Sequence, residues 1–196
     1  MITLVCCSAL SLNNCGNSRT PVPNLSQPVA PGAFRTLRYS GSDLEGGVKR
    51  SWSIAFGAPS NWAIVQRRPP VITVVTSGNA VVALWRYRRT SSLPSGADGY
   101  ARARRELIGA AQKRDPSIQL ISAKTMSVAG SPAIELDANE SIAGQLRRVR
   151  STHVWVPGTE LVIDEYAPLA VFHTVDHSVF SPLKHSLRLT VSPAAS

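Results

Sequence analysis

Three histidines near the C-terminus, His173, His177 and His185, stand four and eight residues apart, with Asp176 beside the second. On a continuous helix such spacings share one face. Convergent imidazoles are what a zinc or nickel site requires. No Glu follows the first His as in H-E-x-x-H, and Pro182 interrupts the segment. The same residues also read as surface histidines beside an apolar stripe.

Glu135, Asp137 and Glu140 form the densest acidic group, and alternation along a strand puts Glu135 and Asp137 on one face. A neighbouring strand bearing Arg147, Arg148 and Arg150 predicts cross-strand ion pairs rather than an acid–base couple. Ser131 lies in Gly130-Ser131-Pro132, a turn, and no G-x-S-x-G elbow occurs. There is no phosphate-cradling glycine loop. The residues imply no cofactor and display no catalytic machinery. Trp85 and Tyr87 share a strand face opposite Leu84, Arg86 and Arg88, and Trp155 occupies a similar place on another strand. Such aromatics either form sheet core under a helix or line a concave site for a lipid, glycan or peptide.

All three cysteines, Cys6, Cys7 and Cys15, fall in the first fifteen residues. The rest of the chain therefore has neither a disulfide framework nor a cysteine zinc site. Met1 to Leu12 is a short apolar run, and small polar residues follow it. Leu12, three before Cys15, and the continuation Cys15-Gly16-Asn17-Ser18 resemble a bacterial lipoprotein signal. Asn14 departs from the small residue usual there, and no Lys or Arg precedes the apolar run. The resemblance implies lipidation of Cys15 and a membrane anchor on the extracytoplasmic face. A plain secretory peptide, or a buried N-terminal strand in a cytosolic protein, is the alternative. Residues 16–32 hold four of the fourteen prolines and almost no core-forming side chain, so they are expected to stay extended as a tether.

The chain has 196 residues, is 43% apolar and carries a formal charge of +9. It is long enough to bury a core without staples, and no apolar run reaches the length of a spanning helix. Of the 21 basic residues 17 are arginine, grouped at Arg86–Arg88–Arg89, Arg102–Arg104–Arg105 and Arg147–Arg148–Arg150. No group has the aromatic interleaving of an RNA-binding sheet or helix-turn-helix spacing, so a solvated surface is expected rather than a nucleic-acid site.

Short alternating runs predict strands at 34–40, 51–56, 62–66, 71–77 and 80–89, with Gly78-Asn79 as a hairpin turn. Apolar Tyr100, Ala103, Leu107, Ala110 and Ala111 predict one long helix from about Ser95 to Arg114, ended by Asp115-Pro116. Strands follow at 118–128, 133–137, 145–156 and 160–166. A C-terminal helix over 174–190 is expected to finish in a strand. The order predicts an α+β domain, 33–190, with a central antiparallel sheet flanked by helices and a short tail at 191–196.

Ser51-Trp52-Ser53-Ile54-Ala55-Phe56 with Pro59-Ser60-Asn61-Trp62 resembles the opening of the PsbP-like fold. Val128 to Ala133 resembles its mid-domain turn, and Phe180, Leu183 and Ser186-Leu187-Arg188 its C-terminal helix and last strand. The resemblance implies an α/β/α sandwich and an accessory or binding role. That makes the expected protein a lipid-anchored or secreted envelope component docking a partner protein or an apolar ligand. The rivals are a metal-dependent enzyme using His173, His177 and His185, and a cytosolic basic module for an acidic protein.

Overall fold

The computed structural model describes residues 26–45, 48–89 and 92–193. The expected leader, Cys15 and the first part of the expected tether lie outside them. The elements are β1 (Phe34–Glu45), β2 (Val48–Pro59), β3 (Ala63–Gln66), β4 (Val71–Ser77), β5 (Ala80–Arg88), α1 (Gly96–Arg114), β6 (Gln119–Val128), β7 (Ser131–Ile142), β8 (Gln145–Val156) and β9 (Thr159–Pro168). Then come α2 (Leu169–Val175), a π turn (Asp176–Phe180), α3 (Ser181–Ser186) and β10 (Arg188–Pro193).

Every strand pair is antiparallel, and the strands form two sheets rather than one. The larger has the order β3-β4-β5-β9-β8-β7-β6, and the smaller the order β1-β2-β10. The element order predicts one central sheet. The second sheet arises because β10, at the far end of the chain, pairs with β2, with Leu189 opposite Ile54. Residues 191–193, expected as tail, belong to this strand.

Three turns set the register. At Ser77-Gly78-Asn79-Ala80 only Gly78 takes a positive φ, of 52°. At the β6–β7 and β7–β8 turns both central residues do: Ala129 with Gly130 (51° and 76°), Ala143 with Gly144 (52° and 74°). Two successive left-handed residues match the right-handed twist of the strands. The β6–β7 turn is therefore Ala129-Gly130, and Ser131 and Pro132 already belong to β7.

One face of the large sheet packs against the small sheet and the C-terminal helices. There Ile54, Phe56, Trp62, Leu84, Ile163, Phe180, Leu183 and Leu187 are excluded from solvent. On the other face α1 covers the β6–β7–β8 half, burying Ala103 and Ala111 over Ile134, Leu136 and Trp155. Val74, Val81, Trp85, Val162 and Tyr166 form a third cluster beside it.

The C-terminal helix starts earlier than expected, at Leu169, and widens at the π turn before Pro182. Proline has no N–H for the α ladder, and its ring crowds the preceding turn. A wider turn seats it at the start of α3. The apolar stripe Phe172, Val175, Val179, Phe180, Leu183 and Leu187 stays buried throughout.

Residues 26–32, expected as part of an extended tether, are fastened to the domain. The Ser26 carbonyl accepts the Asn79 N–H at 2.7 Å, the Val29 N–H donates to Ser77 Oγ at 2.9 Å, and the Gly32 N–H donates to Asn61 Oδ1 at 2.7 Å. Donors and acceptors of β4, the β4–β5 turn and the β2–β3 turn thus hold 26–32, despite its low apolar content.

Candidate functional site

Alternation along β7, β8 and β9 sends charged side chains to both faces of the large sheet. Toward the C-terminal helices point Glu135 and Asp137, Arg148 and Arg150, and Glu165. Lys184 of α3 reaches down between two strands, its Nζ 2.6 Å from Glu135 Oε2 and 3.3 Å from Glu165 Oε2. Arg150 grips Asp176 of the π turn with Nη1 at 2.6 Å and Nη2 at 3.1 Å, and its guanidinium lies 5.2 Å over the Phe172 ring. Its Nε is 3.6 Å from Glu135, and Lys124 adds a contact to Glu135 at 3.0 Å.

Three cations thus face three carboxylates, and the surroundings set the protonation of each. Burial pushes Glu135 upward, but Lys184, Lys124 and Arg150 outweigh it and leave the carboxyl below its usual range. Asp176 is likewise opposed by burial and held low by Arg150 and Ser181. Glu165 is entirely buried, and desolvation wins over Lys184 and Arg150, lifting it to about 7. This network is a neutralising lock between sheet and helices.

The opposite face carries a second polar chain. His153, buried on β8, sets Nδ1 2.6 Å from Glu160 Oε1, and Glu160 Oε2 accepts from Arg89 at 2.9 Å. Despite the push of burial, His153 and Arg89 hold Glu160 low. Nε2 of the same ring lies 3.4 Å from Ser151 Oγ. Carboxylate, imidazole and hydroxyl in this order are the parts of a serine hydrolase. Two features oppose that chemistry. Ser151 Oγ gives its single proton to Asp164 Oδ1 at 2.6 Å. Its backbone also lies mid-strand between β7 and β9, where the ladder takes the N–H groups an oxyanion hole would need. Neither Ser151 nor His153 was singled out from sequence, although the two-residue period of β8 is the signal that places them on one face. Their partners on β9 leave no such local signal.

The residues singled out from sequence fall in separate places. His173, His177 and His185 are exposed on α2, the π turn and α3, while Asp176 beside them turns inward to Arg150. Among the described residues no three His, Cys, Asp or Glu side chains gather to hold a metal ion. The inserted π turn changes the angular relation that spacings of four and eight give on a regular helix.

Trp155 is buried beneath α1, whereas Trp85 and Tyr87 belong to the neighbouring cluster with Val74 and Val81. The three aromatics are therefore not walls of one groove. Arg148 and Arg150 meet Asp137 and Glu135 as expected, with Arg148 Nη2 at 2.8 Å from Asp137. Arg147 does not join them. Alternation turns it to the other face, where it is buried and donates to Gln145 at 2.5 Å.

No protein-family model matches the sequence, and no curated protein does. Solved structures do match the architecture. The cyanobacterial PsbP (CyanoP) of Synechocystis sp. PCC 6803 superposes with a TM-score of 0.55 at 15% identity, over 85% of this chain and 99% of that one. The fold is PsbP-like. LpqN, a protein involved in cell envelope biogenesis of Mycobacterium tuberculosis, superposes on the PsbP-like domain equally well. Its TM-score is 0.55 at 15% identity, over 78% of this chain and 91% of that one. The α+β architecture expected from sequence is present in the PsbP-like domain, with its antiparallel sheets and flanking helices. At such identity the likeness concerns backbone architecture rather than particular side chains.

Proposed function

We propose that this chain is a non-catalytic docking module of the cell envelope, held at the outer face of the membrane by a lipid on Cys15. The observation that carries this reading is the pairing of a PsbP-like domain with a lipoprotein-type leader, Leu12 to Cys15. The architectural likeness to a protein of cell envelope biogenesis supports it. The spending of Glu135, Glu165, Arg150, Lys184 and Asp176 on one another supports binding rather than turnover. Two acyl chains suffice to hold such a domain at a bilayer.

The test is fractionation of cells expressing the full chain and its Cys15→Ser variant, with incorporation of labelled fatty acid as a second readout. Label and membrane residence that both vanish in the variant support the anchor. An intact N-terminus recovered from a membrane-free cytosolic fraction overturns it.

A further inference from the structure

One stretch of the large sheet is buried without a helix residue in its cluster. On the face that α1 half covers, Val74, Val81, Trp85, Val162 and Tyr166 are almost excluded from solvent, and every described member of their cluster comes from a strand. The buried residues of α1 pack over Ile134, Leu136 and Trp155 instead. Three aromatic rings, those of Trp85, Tyr87 and Tyr166, belong to this stretch. An apolar sheet face of this kind needs a cover to stay out of water.

The course of the chain into the domain points to that cover. The Val29 carbonyl accepts the Trp62 Nε1–H at 3.2 Å, and Trp62 belongs to the core on the side of the C-terminal helices. Three residues earlier the chain has reached the β4–β5 turn, where the Ser26 carbonyl accepts the Asn79 N–H at 2.7 Å. Gly78 permits this passage, since a Cβ there would run into the Ser26 and Gln27 carbonyl oxygens. The preceding chain therefore starts from the rim of the opposite face, at the Asn79 end of β5.

Length and composition fit that face. Residues 16–25 read Gly-Asn-Ser-Arg-Thr-Pro-Val-Pro-Asn-Leu. In the polyproline II form they would span about 31 Å, and the nine residues of β5 span about 30 Å. Pro21, Val22, Pro23 and Leu25 offer apolar surface. Proline-rich chain docks on aromatic-lined grooves because it has little conformational freedom left to lose. Arg19 is the one charge of the segment, opposite in sign to Asp164, which stands between Val162 and Tyr166 on this face.

We propose that residues 16–25 lie along β5 on this face, from the Asn79 end toward the Arg88 end, as a cover supplied by the chain itself rather than a free tether. Cys15 is thereby brought to the Arg88 end of the domain. That this end then faces a bilayer rests on the lipid anchor proposed above; the docking itself does not.

The test uses the full chain carrying Cys15→Ser, so that no lipid intervenes. Trypsin cleavage after Arg19 is followed in this chain and in a segment variant, Pro21→Gly/Val22→Ser/Pro23→Gly/Leu25→Ser. A docked bond is cut only when released, so cleavage should be at least about tenfold slower with the native segment than in the variant. The substitutions leave every domain residue in place, and circular dichroism checks that both chains are folded. A photo-crosslinking residue in place of Val22 gives the second readout. Its adducts should fall within residues 71–88 or 159–168 of the same chain.

Equal cleavage rates overturn the proposal. So do adducts elsewhere in the fold, and adducts joining two chains, which would assign the face to a second copy. Each of these outcomes leaves fatty-acid labelling at Cys15 untouched, so the two readings fall separately.

Discussion

Glu135 and Lys184, 49 residues apart in sequence, meet at 2.6 Å with both side chains almost excluded from solvent. One comes from the middle of the large sheet and the other from the last turn before β10. Their contact fixes how the C-terminal helices sit on the sheet, and through them where β10 enters the small sheet. Ser186 continues the path. Its Oγ accepts the Gly57 N–H of β2 at 2.7 Å.

Removing one member of this pair should be costly. Lys184→Met leaves Glu135 and Glu165 buried beside a weakened counter-charge, which corresponds to about 3–5 kcal/mol. Equilibrium unfolding in urea measures it. The double variant Glu135→Gln/Lys184→Met should be less destabilised than Lys184→Met alone. A loss in Lys184→Met of under about 1 kcal/mol would show that the pair is not energetically buried.

Glu165 gives the network a pH dependence of definite sign. Its folded pKa of about 7 lies above the ordinary 4.5. Its contribution is therefore fully present below about 4.5 and is lost as pH rises through about 7. Glu135, Asp176 and Glu160 are shifted down, and their contributions are lost only as pH falls below the ordinary carboxylate range. Unfolding free energies from urea titrations should decline between about pH 5 and pH 8, by on the order of 1–3 kcal/mol from Glu165. Glu165→Gln should flatten that decline, and an unchanged slope would refute the assignment.

The hairpin turns offer a test in the stabilising direction. Ala129 and Ala143 hold left-handed backbone that an L-residue with a Cβ adopts at a cost. Asn tolerates it better, so Ala129→Asn and Ala143→Asn should each stabilise by about 0.5–1 kcal/mol. Gly78→Ala should go the other way, because its new Cβ would run into the Ser26 carbonyl oxygen. Thermal melts of the three variants would decide, and a lower Tm for both asparagine variants would contradict the turn geometry.

Trp155 should behave as core. It is 2% exposed beneath α1, so Trp155→Ala should cost about 3–5 kcal/mol. Chemical denaturation reads this directly. A loss of under about 1 kcal/mol would place the ring in an open site instead.

The strands of the PsbP-like domain were legible because their period is short-range. Val71–Ser77, Gln145–Val156 and the α1 stripe follow from residues a few positions apart; the prediction that Glu135 and Asp137 face Arg147, Arg148 and Arg150 holds for the last two, and alternation turns Arg147 away. Pro182 was legible as a disturbance but not as a π turn, since the turn depends on the helix continuing across it. The cleft between the two sheets at the Arg88 end of β5 was hidden. Arg86, Arg88 and Arg89 look like a solvated basic run in sequence, and nothing in that run indicates that Arg50 and Trp52 will stand opposite.

By itself the sequence determined the order of strands and helices, the confinement of all three cysteines to the first fifteen residues, and which side chains share a strand face. All of these depend on local chain geometry or composition. The tertiary structure alone decided that β10 leaves the large sheet to pair with β2. It also decided that Lys184 lands between two glutamates, and that arginines from two sheets converge on one cleft. Those outcomes depend on contacts between distant segments, where the burial of whole faces, rather than any neighbouring residue, selects the partner.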